Sequence, residues 1–369
     1  MSPVFSIGNV VFVGLGRVGL RTLKLFKELV RDAYIYAVDS NPNVVNLISD
    51  LDNVEFHIYK SEVVDVLIKK ADLVVTALPS NIAFKVVSDL VSKCVNVVDV
   101  SFFAEDPYVL EDIVSKCDSI FIPDAGFAPG YSNLVVGYGV NLLGNVDSIE
   151  VFVGGIPSKP IPPLGYVITW NPLDLIEEYV RPARIVEESK IKFVDPLETI
   201  VEVDLGDLGR FEGFISDGLR TLLKNIRVRN MREVTLRWPN HLSKMKFLRD
   251  IGLMSKELIN IGDISVRPAE VLAKLLEMYL PKEVDDIAVI YVVVRGIDKE
   301  YSELAVLRGT PENPATPTFT ALAHAYTAKL VYEGRVRKGI QPLEKLIEFK
   351  SDYEDYLRSK EVNIVSKLR

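Results

Sequence analysis

The stretch VFVGLGRVGL, residues 11–20, decides the fold. An apolar, β-branched run over 9–13 stops at Gly14, and Gly16 and Gly19 follow in GxGxxG spacing as a helical pattern over 17–30 begins. Each glycine has its own physical reason. Gly14 permits a tight turn, Gly16 lets backbone approach a pyrophosphate, and Gly19 allows close packing of helix on strand. Arg17 and Val18 lie on this turn. The helix that starts there aims unpaired N–H groups and its positive dipole end at phosphates. Asp39 ends the next strand pattern about 20 residues beyond Gly19, where a carboxylate hydrogen-bonds the adenosine ribose and repels a 2′-phosphate. Ser40 and Asn41 follow it, with no Arg beside them. The residues predict a dinucleotide site that takes NAD rather than NADP. The alternative is a Gly-rich turn in a doubly wound fold that binds something else.

Outward from this turn, strand patterns at 34–39, 54–59, 73–78, 96–101 and 119–124 alternate with helical patterns at 61–70, 81–93 and 107–116. That alternation means a Rossmann-type, doubly wound parallel sheet with helices on both faces. Ligands of such sheets lie across the carboxyl ends of the strands. The residues there are Leu78 and Pro79, then Asp99 and Ser101, then Asp124 in PDAGFAPGYSNLVVG, residues 123–137. Asp99 and Asp124 are candidates for catalysis; the bland alternatives are a strand-end carboxylate bonded to backbone N–H groups and a turn cap.

From about residue 149 the texture changes. Longer runs at 149–157, 198–205, 228–238 and 286–298 are not separated by regular helices, the pattern of a mixed or mainly antiparallel sheet in a second, α+β domain. Residues 316–334 read as one helix, with Thr318 as N-cap and Gly334 as stop. The expected organisation is a dinucleotide-binding domain at 1–125 completed by a returning helix at about 312–345, a second domain at 126–311, and a helical tail at 346–369.

The chain has 369 residues and a formal net charge of −8, which argues against a nucleic-acid ligand. No apolar run approaches the roughly 18 residues of a membrane span, and no leader opens the chain, so a cytoplasmic protein is expected. Cys94 and Cys117 form no metal-ligand spacing, so no metal is expected and the pair reads as buried and reduced. One Gln and heavy use of Val, Ile, Glu, Lys and Arg lean toward a heat-loving host.

Three segments carry a family resemblance: residues 123–137 with their Asp-x-Gly-x-x-Pro-Gly turn, GGIPSKPIPPLGYVITWNPLDLIEEYVRPARIV at 154–186, and TLRWPNHLSKMKFLRDIG at 235–252. Together with the glycine fingerprint they resemble the saccharopine reductase-like dehydrogenases, and within them the lysine 6-dehydrogenases. The resemblance implies a two-domain enzyme, a homodimer, and NAD-dependent oxidation of the ε-amino carbon of L-lysine, with the semialdehyde cyclising after loss of ammonia. Saccharopine reductases carry an Arg shortly after the aromatic–Ser/Thr–Trp element. Here TWNPLDLIEEY has none, and offers Asp174, Glu177 and Glu178, which suit a substrate with an extra amine.

Such a reaction needs a cation for the α-carboxylate, carboxylates for amines and a base. Arg237 and His241 are read as presented by a loop at a strand end, with His241 as candidate base and Arg237 as candidate carboxylate partner. Arg181 and Arg184 are further carboxylate partners or else make ion pairs, and Trp170 is a wall for an aliphatic chain or a core residue. His57 and His324 read as structural. Two other readings stand beside the leading one: the reductive condensation of saccharopine or carboxynorspermidine formation, and a non-catalytic NAD-binding sensor.

Overall fold

The computed structural model describes residues 8–168 and 171–369. In the first part of the chain, strands β1 (Asn9–Val13), β2 (Tyr34–Asp39), β3 (Val54–Ile58), β4 (Leu73–Thr76), β5 (Asn96–Asp99) and β6 (Ile120–Ile122) alternate with helices. These are α1 (Gly19–Leu29), α2 (Ser61–Ile68), α3 (Ser80–Ser92), α4 (Glu111–Lys116) and α5 (Tyr131–Leu143). Then come β7 (Val146–Pro157), α6 (Pro172–Val180), β8 (Ala183–Glu187), β9 (Lys190–Val194), β10 (Ile200–Asp204) and β11 (Arg210–Ser216). They are followed by α7 (Leu222–Asn225), β12 (Asn230–Arg237), α8 (His241–Asp250), β13 (Ile259–Ile261), β14 (Ile264–Val266) and α9 (Pro268–Tyr279). The chain closes with β15 (Asp286–Gly296), β16 (Glu300–Gly309), α10 (Ala315–Tyr332), β17 (Gly339–Ile340), α11 (Lys350–Ser359) and β18 (Asn363–Leu368).

Two compact units result. Residues 1–137 and 317–359 form the first, and 138–316 with 360–369 form the second, so the division runs through α5 rather than ahead of it. The first unit holds a seven-stranded sheet in the order β17-β6-β5-β4-β1-β2-β3, every pairing parallel. Order reverses at β1, whose neighbours are β2 and β4, and this switch point is where an open α/β sheet leaves a crevice. The strands are apolar nearly throughout because both faces are covered: Val10, Val11, Phe12 and Val13 are all buried. Helix α1 packs with one face only; Leu23 and Phe26 are buried, and Phe26 meets Phe12 at 5.5 Å between ring centroids. Each such side chain contributes roughly 2 kcal/mol by leaving water.

Helix α10 is buried on all sides along its middle, residues 321–328 without interruption. That explains why its periodicity names no packing face. It begins at Ala315, whose N–H donates to the Asp286 carboxylate at 2.7 Å. Thr318 therefore lies inside the helix and is not its N-cap. Gly334, at φ +67°, ends it in the left-handed region, with the Arg335 N–H returning to the Leu330 carbonyl at 3.0 Å.

The second unit is built on a nine-stranded mixed sheet, β10-β11-β12-β7-β15-β16-β18, with β8 and β9 joined through β12. Among the described residues only β12 and β7 run parallel; the other pairings are antiparallel. The C-terminal segment corrects the expected helical tail. After α11 the chain enters β18, which pairs with β16 from Asn363 to Leu368, and Ser366 donates to the buried Glu303 at 3.1 Å. The free edge of β16 offered ladder hydrogen bonds that a lone helix end lacks, and the charge-rich run of α11 hid the short strand behind it.

The cysteines are a second correction. Cys94 and Cys117 are disulfide-bonded, with Cys94 exposed and Cys117 half-buried. Cys94 comes two residues after α3 and Cys117 directly after the adjacent α4, and their Cα atoms lie 4.8 Å apart across 23 residues of chain. Closing a loop of this length is worth about 3 kcal/mol to folding. Cys94→Ser, or reduction of the wild type, should lower the unfolding free energy by that order. Thiol titration of the unfolded protein should detect no free thiol until reductant is added; two free thiols at the outset would contradict the bond.

Candidate functional site

The residues singled out in the sequence fall into two groups, one in each unit. In the first unit, Gly14 turns at φ +88°, and a Cβ there would meet the Ala77 carbonyl oxygen at 2.3 Å. A Cβ on Gly19 would meet the Gly14 carbonyl oxygen at 1.9 Å. Those two glycines let α1 and the β4 end pack against the turn. Gly16 differs: it is exposed, and nothing lies within 4 Å of where its Cβ would stand. Its missing side chain leaves space open outward, as close approach of a phosphate requires. Arg17 is exposed beside it, and Val18 precedes the first residue of α1.

Asp39 ends β2 and reaches back to this turn. Its Oδ2 accepts the Leu15 N–H at 2.6 Å and its Oδ1 accepts the Asn41 N–H at 2.8 Å. Each oxygen keeps a further lone pair, so the carboxylate that fixes the turn can still accept a hydroxyl. Ser40, beside it, is exposed. The turn and its carboxylate fit a dinucleotide.

A buried network joins the strand ends. Asp99, the last residue of β5, is fully buried, and its Oδ1 accepts from Thr76 Oγ1 at 2.6 Å and from Ser101 Oγ at 2.7 Å. Ser101 Oγ in turn accepts the Leu78 N–H at 2.8 Å, and Pro79 follows at the start of α3. Burial pushes the Asp99 carboxyl up to about 7, against the two hydroxyl donors, with nearby Asp124 adding to the rise. Its Oδ2 is buried with no hydrogen-bond partner among the described residues. An acid poised near neutrality can both give and take a proton.

Asp124 shows what the Gly- and Pro-studded turn is for. It stands buried at φ +53°, its carbonyl accepts the Gly126 N–H at 2.9 Å, and the next residue, Ala125, donates its N–H to the Asp99 carbonyl at 2.8 Å. The turn then closes as the Tyr131 N–H meets the Gly126 carbonyl at 2.8 Å, where a Cβ on Gly130 would lie 2.1 Å from the same oxygen. The backbone freedom holds Asp124 beside Asp99 at the carboxyl end of β6.

In the second unit the structure buries what the sequence reading placed on a loop. Arg237 is the last residue of β12 and His241 the first of α8, and both are buried. Arg237 donates from Nε to Tyr179 OH at 2.9 Å, from Nη1 to the Leu236 carbonyl at 3.0 Å and from Nη2 to Glu178 at 3.0 Å. Its guanidinium stands 4.5 Å from the Tyr166 ring centroid. Tyr179 OH and His241 Nε2 are 2.8 Å apart, and His241 Nδ1 is 3.0 Å from the Leu164 carbonyl. With a proton on Nδ1 the donors run in one direction, Arg237 to Tyr179 to His241 to Leu164. Burial, then the Arg237 charge, drives the imidazole down to about 3. The ring is neutral and both its nitrogens are engaged, which suits a positioning residue rather than a base.

Arg184 pairs bidentately with Asp217, at 2.7 and 2.9 Å, and Arg181 lies 3.7 Å from the same carboxylate. Asp174 is in the first turn of α6, one turn before Glu178. Trp170 lies outside the described residues. His57 sits 3.1 Å from Glu55, and the buried His324 bridges toward Thr22 and the Val98 carbonyl, as structural histidines do.

Sequence reading missed Thr76, Tyr179, Asp217 and Glu233. Glu233 is buried on β12 and accepts from Ser216 at 2.9 Å; burial pushes it up to about 8, and repulsion from Glu178 and Asp217 adds to the rise. The alternation of Glu233, Thr235 and Arg237 on one strand face was the available signal.

The first unit's turn and strand ends are those of a dinucleotide-binding α/β protein. Residues 126–361 match the saccharopine dehydrogenase C-terminal domain family, and the chain belongs to that family. A 169-residue segment is 24% identical to the alpha-aminoadipic semialdehyde synthase of Arabidopsis thaliana; it covers 44% of this chain and spans only 16% of that relative's length. The fold is similar to that of the apo saccharopine dehydrogenase (L-Glu forming) from Saccharomyces cerevisiae, at a TM-score of 0.79 and 16% identity over 98% of this chain and 100% of that one. Among the described residues no helix is long and apolar enough to cross a membrane.

The three glycines separate packing from ligand approach. Gly19→Ala should cost unit stability by about 2 kcal/mol or more, from overpacking against the Gly14 carbonyl. Gly16→Ala should change it by less than about 0.5 kcal/mol. Equal destabilisation in denaturant unfolding would contradict the geometry.

Proposed function

We propose that this chain is an NAD-dependent oxidoreductase that acts on the CH–NH₂ group of an amino acid, with the ε-amine of L-lysine as the favoured substrate group. The observation that carries the reading is the first βα turn, where Gly16 leaves room for a pyrophosphate and Asp39 stands at the β2 end with Ser40 and Asn41 beside it. A carboxylate there, followed by Ser40 and Asn41 rather than by an Arg, favours NAD over NADP. Bound NAD would accept hydride. Everything else falls to the chain's own residues.

An ammonium must lose a proton before its carbon can give up hydride. Asp99 and Asp124 are the acceptors this reading assigns, Asp99 because it is poised near neutrality and Asp124 because the turn is built to hold it there. Family membership supports amino-acid chemistry. The charge pairing of the second unit supports an amine-bearing substrate: Arg184 is committed to Asp217 and Arg237 to Glu178, with Glu233 buried nearby. A tricarboxylic substrate would call for surplus cations, because buried carboxylates otherwise lose hydration uncompensated.

A second reading, oxidation or formation of saccharopine, is supported by the likeness of the whole chain to a saccharopine dehydrogenase fold. Purified protein with NAD should be followed by absorbance on L-lysine, saccharopine, ornithine and diaminopimelate. NAD reduction with lysine, with one ammonia released per turnover, is the expected result. Turnover of saccharopine alone would replace the lysine reading with the second one, and no turnover of any amino acid would overturn both.

A further inference from the structure

A cavity of about 460 Å³, inside the range of small-molecule sites, lies wholly within the second unit. Leu205 and Leu208, just beyond β10, line it together with Leu304 and Val306 of β16 and Asn363 at the start of β18. In the sheet order β10 and β16 stand five places apart, and β18 comes last. The twisted sheet therefore curls until residues from both of its ends share one cavity. Val306 belongs to the unit's core and Leu205, Leu208 and Leu304 pack against it, so the cavity floor is apolar.

Register fixes which face of the sheet this is. Val234 of β12 pairs with Phe152, Phe152 with Tyr291, and Tyr291 with Leu304, and paired residues point to one side. Leu304 and Val306 thus share the face of Val234 and Leu236. Glu233, Thr235 and Arg237 alternate with these and point to the other face, where Arg237 meets Tyr179. The cavity is no part of the buried Arg237–Tyr179–His241 network.

Its rim is charged. Asp207, Arg308 and Glu361 are exposed around the apolar floor. Among the described residues none of these three side chains makes an ion pair or a hydrogen bond, although all line one cavity. Elsewhere on the same sheet opposite charges do meet: Arg295 of β15 pairs with Glu150 at 2.6 Å and with Glu300 at 3.0 Å. Opposite charges set around a cavity, yet too far apart to pair, complement a ligand that carries both signs.

Counting the charges selects its class. One guanidinium takes one carboxylate, two carboxylates take two ammonium groups, and four aliphatic side chains take a methylene chain. A dianion would face Asp207 and Glu361, and a bare cation would face Arg308. A monoamino acid would leave one carboxylate unused. We infer that this cavity is a second amino-acid site, which binds a diamino monocarboxylic acid such as L-lysine or L-ornithine. Arg308 holds the α-carboxylate, Asp207 and Glu361 divide the two ammonium groups, and the methylene chain lies over the apolar floor. The match comes from the cavity alone and does not depend on which substrate the chain oxidises.

Calorimetric titration of the full chain without NAD should show L-lysine binding about tenfold tighter than L-leucine or 1,5-diaminopentane, each of which lacks one of its charged groups. Arg308→Glu should weaken lysine about tenfold or more and leave 1,5-diaminopentane no weaker. Asp207→Asn with Glu361→Gln should erase the preference for lysine over leucine. Hydrogen exchange read by mass spectrometry localises the site: lysine should protect residues 205–208 and 361–363, and Arg308→Glu should remove that protection. No lysine binding, binding without protection of these segments, or protection unchanged in Arg308→Glu would overturn the proposal. NAD reduction is measured separately. Turnover of lysine without this protection would sink the second site and leave the catalytic reading; protection without turnover would do the reverse.

Discussion

The carboxyl of Asp99 ties together the ends of the central strands of the first unit. Through Thr76 it holds the end of β4, through Ser101 it fixes the amide of Leu78 at the entry to α3, and the carbonyl of the same residue takes the Ala125 N–H beyond β6. One fully buried residue thus ties the carboxyl ends of β4, β5 and β6 together. The arrangement is costly to ionise, which is why the group sits near neutrality instead of in the ordinary carboxylate range. The structural tie is compatible with the proposed role of proton acceptor, because the hydroxyl hydrogen bonds use Oδ1 and leave Oδ2 over.

The second unit solves a different problem. Arg237 is buried, and a buried guanidinium is tolerated only when its donors are satisfied. Tyr179, Glu178 and the Leu236 carbonyl do so, and Tyr179 passes the order on to His241. Removing one partner of such a set leaves a desolvated group behind, which costs more than the bond itself was worth. The chain therefore fixes the end of β12 to α6 and the start of α8 by polar contacts inside an otherwise apolar cluster.

The turn at residues 14–19 was legible because it depends on backbone geometry that only glycine permits, and the sequence displays glycines directly. Asp39, Asp99, Ser101 and Asp124 were legible because strand ends follow from apolar run lengths. Arg237 and His241 were noticed, yet their surroundings were not: Tyr179 lies 58 and 62 residues away from them in sequence, and no local pattern announces a pairing of that span. Glu233 was hidden for the same reason, since its hydroxyl donor is on the neighbouring strand. The disulfide and the last strand depend on which helices and edges become neighbours, which spacing along the chain does not encode.

The proposed chemistry turns on where the hydride comes from. L-lysine deuterated at the ε-carbon, incubated with the protein and NAD, should deliver one deuterium to the reduced nicotinamide and slow turnover if hydride transfer limits the rate. Mass spectrometry of the recovered cofactor reads the transfer directly. Deuterated NADH would establish the ε-carbon as the hydride donor; NADH formed from lysine without label would contradict the proposed chemistry.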